Sequence, residues 1–274
     1  MRILVSHITS YLYDHPPNSV IQLLRLTPRH HEGQYVMRWR IDVSQDCRLD
    51  QREDAFGNIV HAFTLRGPVD GVSVHVEGEV ETQDTAGVVR GAIERFPPSL
   101  FLRETPLTEP DAAIAAFAAG IAAYGANPLD RMHALLSELH REMTFDTDPT
   151  HTHTTAAQAF ALKRGVCQDL AHIFIAAARS IGVPARYVSG HMHRADGVIE
   201  QQAGHAWAEA FVPQLGWVGF DPTNEVCATE GHVRVAVGLD YLGAAPVRGA
   251  RYGGDHERLA VNVRVAQGQI QTQS

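Results

Sequence analysis

Gly165-Val166-Cys167-Gln168-Asp169-Leu170-Ala171-His172 puts a cysteine at the start of an apolar run that continues through Phe174, Ala177 and Ala178 to Ile181. Gly182 and Pro184 close the run, and its spacing predicts a helix that begins near Val166 and Cys167. The free N–H groups and positive dipole end of such a helix stabilise a thiolate over a thiol. The same N–H groups can hold the oxyanion of a tetrahedral intermediate. Taken alone, Cys167 reads more readily as a small core residue. Two motifs nearer the C-terminus change that reading.

The first is Gly204-His205-Ala206-Trp207-Ala208-Glu209. In a strand, His205, Trp207 and Glu209 share one face, and Ala206, Ala208 and Ala210 share the other. A face of alanines lets a helix pack closely, and the helix of Cys167 is the obvious candidate. The second is Gly216-Trp217-Val218-Gly219-Phe220-Asp221-Pro222-Thr223, in which Asp221 ends a strand just before a proline that stops the ladder. With the turn Pro213-Gln214-Leu215-Gly216 joining the two strands as antiparallel neighbours, Asp221 can accept from one imidazole nitrogen of His205 and leave the other facing Cys167. That is the nucleophile, base and orienter of covalent acyl transfer. Trp207 and Trp217 read as core or cleft walls, one of them shielding the imidazole from water. Glu209 reads as a locally paired strand residue. Gln158 and Gln168 read as capping and exposed residues, so a second oxyanion donor stays unassigned.

Upstream, helical patterning covers the stretch from Asp111. Asp111 caps an alanine-rich helix toward Tyr124, and Asn127-Pro128 opens a second helix whose Met132, Leu135, Leu136 and Leu139 share one face. Thr155-Ala156-Ala157-Gln158 is a capping box for a short helix through Arg164, with Gly165 placed to stop it. Before Phe96-Pro97-Pro98 the period is that of strands. Val72, Val74 and Val76 alternate with polar residues, as Tyr35, Met37, Trp39 and Ile41 alternate with Val36, Arg38, Arg40 and Asp42. Gly57-Asn58 reads as a hairpin turn that Asp54 and Asn58 fix through side-chain hydrogen bonds. We place a β-rich region at 1–105 and the helix-containing core at 106–274, with the alternating stretch from Val233 to Val265 adding outer strands.

The 274 residues are 45% hydrophobic, the share of a folded globular chain. A formal charge of −8 argues against nucleic acid or an anionic membrane as partner. No apolar run approaches the ~20 residues of a membrane helix. The N-terminus turns polar too early for a signal-peptide core, so a cytoplasmic address is expected. Three cysteines, Cys47, Cys167 and Cys227, form no C-x-x-C pair. Sixteen histidines include the pairs His151/His153 and His191/His193, yet no H-E-x-x-H, so neither metal nor cofactor is assigned.

The three motifs around Cys167, His205 and Asp221 resemble the transglutaminase-like superfamily. More narrowly, the chain is similar to bacterial transglutaminase-like proteins with a β-rich N-terminal domain, in which Asp54-Ala55-Phe56-Gly57-Asn58 recurs; the likeness extends to Val235-Ala236-Val237-Gly238-Leu239-Asp240-Tyr241. The resemblance implies an α+β fold: a papain-like, transglutaminase-like core with its nucleophile helix packed on an antiparallel sheet, and an N-terminal all-β domain. It implies a catalytic triad with Cys167 as nucleophile, His205 as base and Asp221 as orienter. The implied chemistry is acyl transfer from amides through a thioester, with a peptide or protein amide as partner. Hydrolysis, as in a cysteine protease or amidase, is the expected outcome. Alternatives are a protein-glutamine transglutaminase or deamidase, a non-catalytic binding module on the same fold, and a histidine-based metalloprotein.

Overall fold

Two-residue alternation builds the opening strands: β1 (Arg2–His15), β2 (Ser19–Thr27), β3 (Gln34–Val43), β4 (Asp50–Glu53), β5 (Ile59–Arg66) and β6 (Gly71–Thr82). The structure is a computed structural model that describes residues 1–148 and 150–268. Val72, Val74 and Val76 of β6 are buried, as their spacing predicts, and pack against Leu24, Phe63 and Leu65 of β2 and β5. Strand β3 departs from its expected phase. A bulge between Val36 and Arg38 resets the alternation, so Trp39 and Ile41 turn inward while Tyr35 and Met37 are exposed.

The middle of the chain holds β7 (Val88–Val89), α1 (Ala112–Ala122), α2 (Pro128–Glu142), β8 (Thr144–Phe145), α3 (Ala156–Leu162), β9 (Arg164–Gly165) and α4 (Cys167–Ser180). Asp111 accepts from the Ile114 N–H at 2.9 Å and Asn127 from the Leu129 N–H at 3.0 Å, so both helices start where their caps predict. Helix α3 ends two residues earlier than the sequence suggests. Lys163 takes the left-handed conformation at φ 55°, and Arg164–Gly165 pairs with Thr144–Phe145 instead. Gly165 has a different task. A Cβ there would sit 2.7 Å from Asp169 Oδ2, and that carboxylate accepts the Val166 N–H at 2.9 Å to cap α4.

The rest comprises β10 (Ala185–Met192), β11 (Glu200–Gln201), β12 (His205–Val212), β13 (Gly216–Asp221), β14 (Val226–Cys227), β15 (His232–Gly238), α5 (Tyr241–Ala244), β16 (Val247–Tyr252) and β17 (Asp255–Gln267). The core sheet runs β14-β13-β12-β10-β15, with β7 paired to β13. Helix α4 lies across it with Leu170 to Ala178 buried. Ala206, Ala208 and Ala210 form the floor under this helix, and Phe174 stacks on Phe220 with ring centroids 5.4 Å apart. The alternation predicted for β12 is therefore what seats the helix.

The last two strands return to the first ones. β16 pairs with β2 and β17 with β1, so residues 247–267 complete the two N-terminal sheets, ordered β11-β17-β1-β6-β3 and β16-β2-β5-β4. The N-terminal strands also close the open edge of β15. The Gln34 side chain donates to the Arg234 carbonyl at 2.9 Å and accepts the Arg234 N–H at 2.8 Å. The Asn58 side chain does the same for Val237, both bonds 2.8 Å. Two side-chain amides thus satisfy an edge that would otherwise leave backbone groups unpaired. No helix among the described residues is long and apolar enough to cross a membrane.

Candidate active site

Cys167 occupies the first position of α4, half-buried, with Val166 as the helix N-cap. Its N–H and that of Gln168 find no acceptor among the described residues, as first-turn groups do not. Across β12 and β13 the antiparallel register sets Ala208 opposite Phe220, which brings His205 and Asp221 to one face. His205 Nε2 lies 2.7 Å from Asp221 Oδ2. Cys167 lines the same cavity as this imidazole, whose nitrogen not bonded to Asp221 is Nδ1, and its sulfur helps to raise the imidazole's pKa. The three residues singled out from the sequence therefore meet, although they come from three elements.

The electrostatics favour a charged His205 beside an ionised Asp221. Burial pulls the pKa of His205 down, but the Asp221 carboxylate, its hydrogen bond and the Cys167 sulfur outweigh it and hold the imidazole up at about 10. Burial works against the charge of Asp221, yet His205 and His232 keep its carboxyl well below the usual carboxylate range. Five donor contacts surround that carboxylate. Oδ2 faces His205, His232 at 3.2 Å and Asn224 Nδ2 at 2.6 Å, while Oδ1 accepts the N–H groups of Thr223 and Asn224. Such a carboxylate is built to stay ionised and to steady a charged ring.

Trp207 is 2% exposed and covers this pair from below. Its ring stacks on His205 at 6.0 Å and meets His232 edge-on at 5.2 Å. Trp217 lies elsewhere, under the Arg186 guanidinium at 3.9 Å and beside Phe101. Glu209, fully buried, is paired with Arg186 and Arg234 at 2.7 Å each, and these arginines keep its carboxyl at about 2 despite burial. Gln158 closes the cap of α3 by accepting the Thr155 N–H. Gln168 lines the cleft.

A cavity of about 540 Å³ opens over Cys167 and His205. The N-terminal strand β1 forms part of its wall through His7, Thr9 and Tyr11, and β17 adds Leu259 and Val261. Phe145, Val198 and Leu259 line it with about half their surface exposed (55%, 46% and 56%). The charged residues at its rim are already paired, Arg194 with Asp196 and Glu200 with Arg264. Tyr187 of β10 lines the cavity as well. Its phenol is pushed well above its ordinary pKa by burial first and by Cys167 next, so it keeps its O–H proton.

Sequence reasoning passed over two of these residues, His232 and Tyr187. In the sequence Tyr187 is only one residue of a strand. His232 carries no periodic signal and lies eleven positions beyond Asp221, while the eye falls on the histidine pairs. Those pairs are used differently. His191 is buried against His7 and Trp39, its pKa pushed down to about 3 by burial, and His151 Nδ1 accepts the His153 N–H. Among the described residues, His205, Asp221 and His232 are the cluster whose ligand atoms, within 4.8 Å of one another, offer a cation a place. The donor set fits poorly. The Thr229 N–H donates to His232 Nδ1, so a neutral ring keeps its proton on Nε2, where a metal would need a lone pair.

A thiol at a helix N-terminus, an imidazole on a strand and a carboxylate on the next strand define a class. The chain belongs to the transglutaminase-like superfamily. Residues 115–222 match the transglutaminase-like superfamily core, and residues 3–81 match the bacterial transglutaminase-like N-terminal region. The chain is 32% identical over 278 residues to an uncharacterized protein of Mycobacterium leprae, covering 96% of this chain and 98% of that one. It is 29% identical over 146 residues to the protein-glutamine gamma-glutamyltransferase of Pseudomonas aeruginosa, covering 47% of this chain and 21% of that enzyme. In fold it resembles the crystal structure of a candidate cysteine protease from Cytophaga hutchinsonii, with a TM-score of 0.80 at 18% identity, covering 100% of this chain and 92% of that one.

Proposed function

We propose that the protein catalyses thiol-dependent acyl transfer from an amide, with Cys167 as nucleophile, His205 as acid and base, and Asp221 as the group that orients His205. The observation that carries this reading is the hydrogen bond of His205 to Asp221 in an open cavity that Cys167 lines together with His205. The Cys167 thiolate adds to the amide carbonyl carbon. The oxyanion meets the free N–H groups of the α4 N-terminus, with the Tyr187 hydroxyl at hand as the second donor. Collapse breaks the C–N bond, and His205 passes its proton to the departing nitrogen, leaving a thioester. Water then adds to the thioester with His205 taking its proton, the acid leaves, and the thiol is restored.

Hydrolysis of a peptide or isopeptide-like amide is the outcome we favour. The cavity wall of Phe145, Val198 and Leu259, with its rim charges neutralised in pairs, suits an amide flanked by apolar side chains. Partial similarity to a protein-glutamine gamma-glutamyltransferase supports a second reading, in which an amine resolves the thioester or glutamine is deamidated. Three free thiols suit a reducing compartment, and we place the protein in the cytoplasm on that ground. To test the chemistry, the protein is treated with iodoacetamide near neutral pH and the modified cysteine is mapped. Burial pushes the thiols of Cys47 and Cys227 up, so both should react slowly. Equal labelling of all three, together with full amidase activity in Cys167→Ala, refutes the reading. Ammonia release with and without an added primary amine separates transfer and deamidation from peptide hydrolysis.

A further inference from the structure

His232 stands outside the triad, yet both of its ring nitrogens are committed. The Thr229 N–H donates to Nδ1 at 3.0 Å, which requires a lone pair there. A neutral ring therefore carries its proton on Nε2, and Nε2 faces Asp221 Oδ2 at 3.2 Å. The Thr229 hydroxyl lies 3.2 Å from Nδ1. The residue is 6% exposed, with the edge of Trp207 against it.

The position of this donor is informative. Thr223 and Asn224, which also bond Asp221, belong to the same turn and move with it. His232 comes from β15, a separate strand whose outer edge is clamped at Arg234 and Val237 by Gln34 and Asn58 of the N-terminal region. It is thus a fixed post against which the carboxylate is set. We propose that His232 is a positioning residue: an Nε2–H donor that holds Asp221 Oδ2 in place under His205, itself located through β15 by the N-terminal strands. The inference rests on the reading of Cys167, His205 and Asp221 as a triad. The groups that face His205 are Asp221 from β13, Cys167 from α4, His191 from β10 and His232 from β15. Of these, His232 bonds the same carboxylate oxygen as His205.

Two measurements test it. In protein labelled with ¹⁵N on histidine, the His232 ring should carry a proton on Nε2 near neutral pH. A ring whose single proton sits on Nδ1 overturns the proposal. The second measurement is the rate of Cys167 alkylation by iodoacetate near neutral pH. His232→Leu, which removes the donor, should slow it roughly tenfold or more, the weight of one hydrogen bond to a charged group. His232→Gln can donate to Asp221 and accept the Thr229 N–H, and should stay within a few-fold of wild type. Equal rates for Leu and wild type, or equal losses for Gln and Leu in variants that melt like wild type, overturn it. Wild-type Cys167 reacting no faster than Cys47 or Cys227 would instead remove the triad reading, while the NMR result on His232 stands by itself.

Discussion

Asp221→Asn replaces the oxygen under His205 with an amide of nearly the same shape and removes its charge. In the wild type that charge, the hydrogen bond it makes and the nearby sulfur overcome burial and lift His205 from an ordinary 6.5 to about 10. Without the carboxylate, burial dominates and the imidazole should lose its proton near or below pH ~6.5. The assay compares two alkylating agents at Cys167 across pH. Iodoacetate is an anion and is drawn by an imidazolium beside the sulfur; iodoacetamide is neutral and is not. Their rate ratio should fall near pH ~10 in wild type and near pH ~6.5 or lower in the variant, with the site of modification confirmed by mass mapping. A variant whose ratio breaks at the wild-type pH would show that Asp221 does not set the charge of His205.

Two further perturbations probe what supports the site. Glu209→Gln removes the fully buried charge that Arg186 and Arg234 share and leaves Glu94 as the remaining carboxylate on Arg186, at a cost of up to about 3–5 kcal/mol. With an unfolding entropy of about 2.1 cal/mol/K per residue over 274 residues, that is a fall of up to about 5–9 °C in melting temperature by calorimetry. The same carboxylate has a depressed pKa, so its stabilisation is complete above the unfolded value of ~4.3 and is lost as pH falls toward about 2. The wild type should lose stability through that window more steeply than Glu209→Gln. Asn58→Ala removes the clamp on Val237 and leaves its backbone N–H and carbonyl unsatisfied. It should cost about 2 kcal/mol or more in denaturant unfolding, and hydrogen exchange should rise first along β15. Unchanged exchange there would mean that the amide clamp is ornamental.

The parts of the molecule that short-range rules govern were legible in the sequence. Caps at Asp111, Asn127 and Thr155, the alanine face of β12 and the valines of β6 all act within a few residues, and each predicts the element it belongs to. The proposed triad was legible for a related reason. A thiol at a helix start, an imidazole at a strand start and a carboxylate at a strand end are local placements, and a single hairpin register joins the last two. What escaped depended on long chain separation. The bulge in β3 is set by its pairing with β6, the destination of residues 247–267 by strands 223 to 264 positions away, and the bond of His232 by the seating of β15. Gln34 and Asn58 make the point most sharply. In sequence one is a strand residue and the other a turn residue, but in the folded chain each serves as a surrogate strand for a residue 200 or 179 positions away. The N-terminal region is therefore tied to the strand that carries His232 by side-chain amides that no periodicity announces.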